Sequence, residues 1–329
     1  MSWVRFLEKI VSNPAQYKPC WFSYQGAVQG VLNSLGVDVS LSEVIAVSGY
    51  GWLTNAMEKN LCPSVPSAHH SEIWRGNFKA TENLGYRIDV IGSGLFVWDK
   101  ERKPTPESVV NAKKQFDLIK EEVDADNPVV LWGIPVPEYG VVNGYEDENY
   151  VVSTYRPLIN QPDSPIHYTG LMAPGGLMFI KFREPVHLDE EKVVLDTIRR
   201  GYKLGSGNVP HLGEYVVGPQ AYDVLVKNLT EEEMDENSYH GTAYTFACLM
   251  EAKKAVSDYL KQSDQLVKPD LMVAANLYGD LFEALEKCSQ EFPMGPGEMF
   301  KEKREKAAGW LVEAKKLELD ALTELNKII

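Results

Sequence analysis

The sequence predicts an α+β domain followed by an α-helical domain, and three observations carry that expectation. Apolar residues recur at helical spacing in the first third of the chain. Four segments between residues 128 and 182 then switch to period two and are rich in β-branched and aromatic residues. From residue 188 helical spacing returns and persists to the end. The 329-residue chain exceeds the ~100–200 residues typical of one domain. A boundary is expected at "REPVHLDEE", where Pro185 and an acidic run interrupt the pattern. The first domain is thus expected over 1–186 and the second over 187–329.

From Cys20 onward, Tyr24, Ala27, Val28, Val31, Leu32 and Leu35 share one helical face, and Gly36 stands where a left-handed C-terminal cap belongs. "SLSE", Ser40 to Glu43, has capping-box form and opens a short helix that stops near Gly49, after which "GYGW" reads as a loop. "HHSEIWRGNFKATENLG" is a helix closed by Gly85, and "YRIDVIG" alternates like a strand. Thr105 as N-cap and Pro106 at the first helical position, where its missing N–H costs nothing, open "TPESVVNAKKQFDLIKEEV". "PVVLWGIPV", "YGVVNGYED", "YVVSTY" and "GLMFIKF" suggest an antiparallel sheet, with "EDEN" as a turn. The second domain reads as helices over 189–203, 219–228, 238–262, 269–290 and 297–327, plus one short strand, "EYVV".

Composition narrows the function classes. A net charge of -14 without a compact basic stripe argues against a nucleic-acid partner. The N-terminal stretch lacks the apolar core of a signal peptide, and no run approaches the ~18 apolar residues of a membrane span, so a cytoplasmic protein off the membrane is expected. Cys20, Cys62, Cys248 and Cys288 lie far apart with no CxxC pair, which suggests neither a disulfide framework nor a zinc ribbon. "GSGLF" and "GSGNVPHLG" do not join a strand to a helix as phosphate-cradling loops do. No metal and no cofactor is expected, and the sequence leaves the oligomeric state open.

A cysteine at a helix N-terminus gains from free N–H groups and from the roughly half-unit positive charge of the helix dipole, which favour thiolate. Cys20 is therefore the candidate nucleophile. Cys248 and Cys288 fall inside amphipathic helices, and Cys62 sits in a loop without a visible helix start. A nucleophilic cysteine needs a base, usually histidine.

A Cys-headed apolar helix ending in "LG", a "LSE" helix with "GYGW", an interrupted helix-and-strand region, and then strand, turn, "GYED" and strand resemble the papain-like superfamily over residues 14–184. The order is similar to that of bacteriocin-processing-type peptidases and of the butirosin biosynthesis protein H N-terminal domain, and the helical remainder resembles the segment that follows the latter. The resemblance implies cysteine-dependent acyl transfer from a thioester or amide to an amine or water. The implied partners are a small-molecule amine or a peptide, and an acyl carrier protein. An alternative is an inactive domain that binds a peptide or small molecule in the ancestral cleft.

The family's catalytic histidine precedes the "GY" glycine by six residues, which here is Glu138, a poor base for a thiol at an ordinary carboxyl pKa near 4.3. The family's oxyanion glutamine falls on Pro14, with Gln16 nearest. Gln16, Trp21, Trp52 and Tyr139 are candidate substrate or oxyanion contacts. The third catalytic position falls among Asn149, Ser153 and Thr154. Of the histidines, His211 and His240 are the alternative bases, while His69, His70, His167 and His187 read as surface or capping residues.

Overall fold

Local signals set most element ends in the computed structural model, which describes residues 8–57, 65–67, 69–231, 236–295, 297 and 300–329. In chain order the elements are β1 (Glu8–Ile10), α1 (Ser23–Ser34), α2 (Leu41–Val47), β2 (Asn55–Met57), α3 (Ser71–Thr81), β3 (Tyr86–Gly94), α4 (Pro106–Asp124), β4 (Val129–Ile134), β5 (Glu138–Glu146), β6 (Asn149–Ser153), β7 (Ile166–His167), β8 (Leu177–Pro185), α5 (Glu190–Gly205), β9 (Tyr215–Val217), α6 (Gln220–Glu231), α7 (Glu236–Ser263), α8 (Met272–Glu291) and α9 (Lys301–Asn326). The protein is α+β, with every strand pair antiparallel.

The caps work as the sequence foretells. Helix α1 ends in a Schellman turn. Gly36, at φ +85°, donates its N–H to Asn33 O, and Val37 donates to Leu32 O. Thr105 Oγ1 accepts from the Ser108 N–H, with Pro106 opening α4. Two expectations shift. The helix predicted from Cys20 begins at Ser23, and "GYGW" contains a single 3₁₀ turn, Tyr50–Trp52, rather than an open loop.

By packing, the chain divides into two units, the first of residues up to Leu41 with Leu84–Val186, the second of Ser42–Asn83 with His187–Ile329. The second unit resumes at the sequence boundary, and it also takes in α2 and α3.

In the first unit one sheet runs in the order β3-β8-β4-β5-β6-β7, with β1 paired to the far end of β5. Helix α4 covers one face. Its Ala112, Phe116, Ile119 and Val123 pack with Val129, Leu131, Val142 and Phe179. Helix α1 packs on β4 and β5 from the other face. Strand β5 is buried on both sides, which is why "YGVVNGY" is almost continuously apolar.

The chain ahead of α1 is pinned to this sheet. Asn143, the extra residue of a bulge between β5 and β6, bonds both backbone groups of Ala15. Its Oδ1 accepts the Ala15 N–H at 2.8 Å, and its Nδ2 donates to Ala15 O at 2.8 Å. The Tyr17 N–H donates to Ser153 Oγ and the Lys18 N–H to Gly26 O. Gly26 and Gly30 permit this approach, since a Cβ would stand 2.3 Å from Lys18 O and 2.3 Å from Gln16 O respectively.

The second unit is a bundle of α6, α7, α8 and α9 with α5 against α9, and a two-stranded sheet of β2 and β9. Its centre holds a charge pair. Lys253 Nζ lies 2.6 Å from Glu318 Oε1 with both side chains at 0% exposure, and Thr54 Oγ1 donates to Glu318 Oε2 at 2.8 Å. Lys253 also reaches the Leu53 carbonyl at 3.4 Å. Burial pulls the Lys253 pKa below its ordinary value, and the adjacent Glu318 carboxylate opposes that pull. Among the described residues, no helix is long and apolar enough to cross a membrane.

A buried pair is costly to break and cheap to replace. Lys253→Met or Glu318→Leu alone should destabilise the protein by roughly 3–5 kcal/mol, measured by denaturant unfolding. The double variant should lose much less than the sum. Additive losses would show that the two charges do not compensate each other.

Candidate functional site

Cys20 stands two residues before Phe22, the N-cap of α1, so it precedes the helix instead of opening it. Its position follows from the pinned segment. Lys18 and Cys20 lie on the flank of the first turn, where a Cβ at Gly26 would be 2.9 Å from Cys20 Sγ. The sulfur, half-buried, donates to Phe22 O at 3.0 Å.

Three residues on, Ser23 opens the helix and meets the start of β5. Ser23 Oγ donates to Glu138 Oε2 and accepts the Tyr139 N–H at 3.0 Å. Glu138 is half-buried, and its pKa is raised by burial, with the Ser23 hydrogen bond opposing in part. No cationic side chain among the described residues pairs with it. Tyr139 packs on Trp132 at 4.8 Å between ring centroids and on Tyr24 at 5.2 Å. The Glu138 charge also reaches the Tyr155 phenol, which donates to Pro135 O at 2.6 Å and accepts the Val136 N–H at 2.8 Å. Val136 is exposed beside this cluster.

The histidines do not fill the gap within this unit. His167 is the one histidine of the first unit's sequence, and it lies on β7, where it bonds Thr169 Oγ1 at 2.7 Å and reaches Glu148 Oε2 at 3.4 Å. The register pairs His167 with Asn149 and Asn149 with Glu146, at the far end of β5 from Glu138. Eight strand steps of ~3.4 Å put that end ~27 Å away. His211 and His240 belong to the second unit and are exposed, His211 before β9 and His240 on α7.

Other expected residues separate as well. Trp52 belongs to the second unit, at 0% exposure, and donates its N–H to Ala46 O at 2.9 Å. A substrate or oxyanion contact is out of its reach because the indole is core. Gln16 is exposed with its carbonyl over Gly30, and Trp21 is half-buried beside Cys20. At the third catalytic position, Ser153 holds Tyr17, Thr154 donates to Asp163, and Asn149 donates to Glu146 O in the hairpin turn. His69, expected at the surface, is buried edge-on to Tyr50, and burial lowers its pKa to about 3; His70 is the N-cap of α3. Cys248 and Cys288 are buried, and Cys62 lies outside the described residues.

Ser23, Trp132 and Tyr155 carry no signal in the sequence that marks them as neighbours of this site. The serine in "CWFS" stood inside the expected helix, with nothing to say that it faces Glu138. No group of three or more potential metal ligands occurs among the described residues. No model of a known protein family matches the chain, and no curated protein matches it.

Folding that raises a carboxyl pKa makes the folded chain bind its proton more tightly. The associated stability is therefore full below the unfolded pKa and is lost as pH rises through the folded value. Glu138→Gln retains an acceptor for Ser23 without the charge. Its thermal midpoint should match wild type near about pH 4 and exceed it at about pH 8. A variant less stable than wild type at the higher pH would contradict this assignment.

Proposed function

We propose that the first unit is a papain-like domain without cysteine catalysis, which binds the cationic group of a small amine or of a peptide at Glu138. The observation that carries the reading is the carboxylate itself. Glu138 stands six residues before Gly144, where the resemblance implies a base, is half-buried, and has no cationic partner among the described residues. Removing a carboxylate from water without a partner is unfavourable, and an incoming ammonium supplies the missing charge. The Tyr155 phenol, within electrostatic reach of the carboxylate, adds a ring of the kind that attracts a desolvated cation.

Cysteine-dependent acyl transfer is the second reading, favoured by the partial exposure of Cys20 beside α1. In that scheme the thiol attacks a thioester or amide carbonyl and an amine or water resolves the acyl-enzyme. It requires a base, and the first unit's own histidine lies a strand's length from Glu138.

Iodoacetamide separates the two readings. If the domain only binds, Cys20 labels at neutral pH no faster than a small free thiol, and labelling accelerates only as pH approaches the ordinary thiol range near 8.5. Rapid labelling with a plateau below about pH 7 would restore the acyl-transfer reading. In parallel, a primary diamine titrated calorimetrically should bind wild type and not Glu138→Gln. Equal binding to both would remove Glu138 from the site.

A further inference from the structure

The second unit contains a guanidinium that pairs with no anion among the described residues. Arg200, on α5, lies against α3 and the turn after α2, and glycines make room for it on both sides. A Cβ at Gly76 would stand 2.7 Å from Nη1 and 3.0 Å from Nη2, and one at Gly49 would stand 2.8 Å from Nε. Gly49 has φ +94°, a conformation that L side chains disfavour, so that wall is kept bare by backbone geometry too.

The polar groups here are donors in excess. Arg200 Nη2 donates to Asn77 Oδ1. The Arg200 Nε–H is buried without an acceptor, and so is the Asn77 Nδ2 amide, on a side chain at 0% exposure. No carboxylate among the described residues pairs with Arg200. Burial shifts its pKa downward. Arginine does not give up its proton in proteins, so the charge stays. The contrast with Lys253, which is buried with its own glutamate, shows how this unit balances a cation when it supplies the anion itself.

We propose that Arg200 and Asn77 form a binding site for an oxyanion, the phosphate or carboxylate group of a ligand. Arg200 keeps part of its surface in solvent, and its planar fork suits paired hydrogen bonds to such a group. Asn77 sets the register of the fork, and Gly49 and Gly76 let the anion's partner lie flat in the wall.

The test measures the thermal midpoint of the full chain against inorganic phosphate, acetate and chloride at matched ionic strength. Phosphate or acetate should raise the midpoint saturably beyond chloride. A response to phosphate alone assigns a phosphoryl ligand, and one to acetate alone a carboxylate. Arg200→Gln should weaken the response at least about tenfold in apparent affinity, as loss of a charge-assisted contact does. Asn77→Asp places a carboxylate against Arg200, so it should raise the midpoint in anion-free buffer and abolish the response, which keeps the proposal testable if Arg200→Gln fails to fold. No shift beyond chloride, or an unchanged response in either variant, would overturn the site.

Discussion

Two hydrogen bonds from the Asn143 side chain to the backbone of Ala15 decide where the chain ahead of α1 runs, and the candidate site inherits its geometry from them. An amide side chain is the one neutral group that offers a donor and an acceptor side by side, so Asn143 imitates a neighbouring strand for a single residue. The next residues are then laid along Gly26 and Gly30, which brings the Cys20 sulfur to the flank of α1 and leaves Ser23 as the first helical residue facing Glu138. Removing the amide would strand two buried backbone groups, each at a cost of about 1–3 kcal/mol.

Much of this was legible in the residues themselves. The left-handed cap at Gly36, the Thr105–Pro106 helix start and the four apolar strands follow from local chemistry that tertiary packing had no cause to override. What the sequence hid depends on contacts between distant segments. Strand β1 pairs with β5 across more than a hundred residues, and β7 is too short to carry a pattern. The bulge at Asn143 falls in "VVNGYE", which reads as uninterrupted strand. Helical spacing counted back from Tyr24 includes Cys20, yet the glycine face of α1 draws the preceding chain alongside the helix instead of into it. The offset from Gly144 singles out Glu138, whereas its partner Ser23 follows only from the fold.

Buried charge is treated in two ways in this chain, and the difference separates scaffold from candidate site. Lys253 and Glu318 neutralise each other at zero exposure, with Thr54 and backbone carbonyls completing their bonds, so nothing remains for a ligand to satisfy. Among the described residues, Glu138 and Arg200 each lack an opposite charge. A folded chain that holds such a group half out of water gains from any solute that completes it, which is the physical basis for reading both as recognition points.

Asn143 holds the segment ahead of α1 as firmly as a strand. Native-state hydrogen exchange at the Ala15 amide tests it directly. Protection of that N–H should match the β5 amides and fall by orders of magnitude in Asn143→Ala, while the β5 amides outside the bulge retain theirs. Exchange at loop rates in the wild-type protein would contradict the account, because the position of Cys20 would then be set by something other than this clamp.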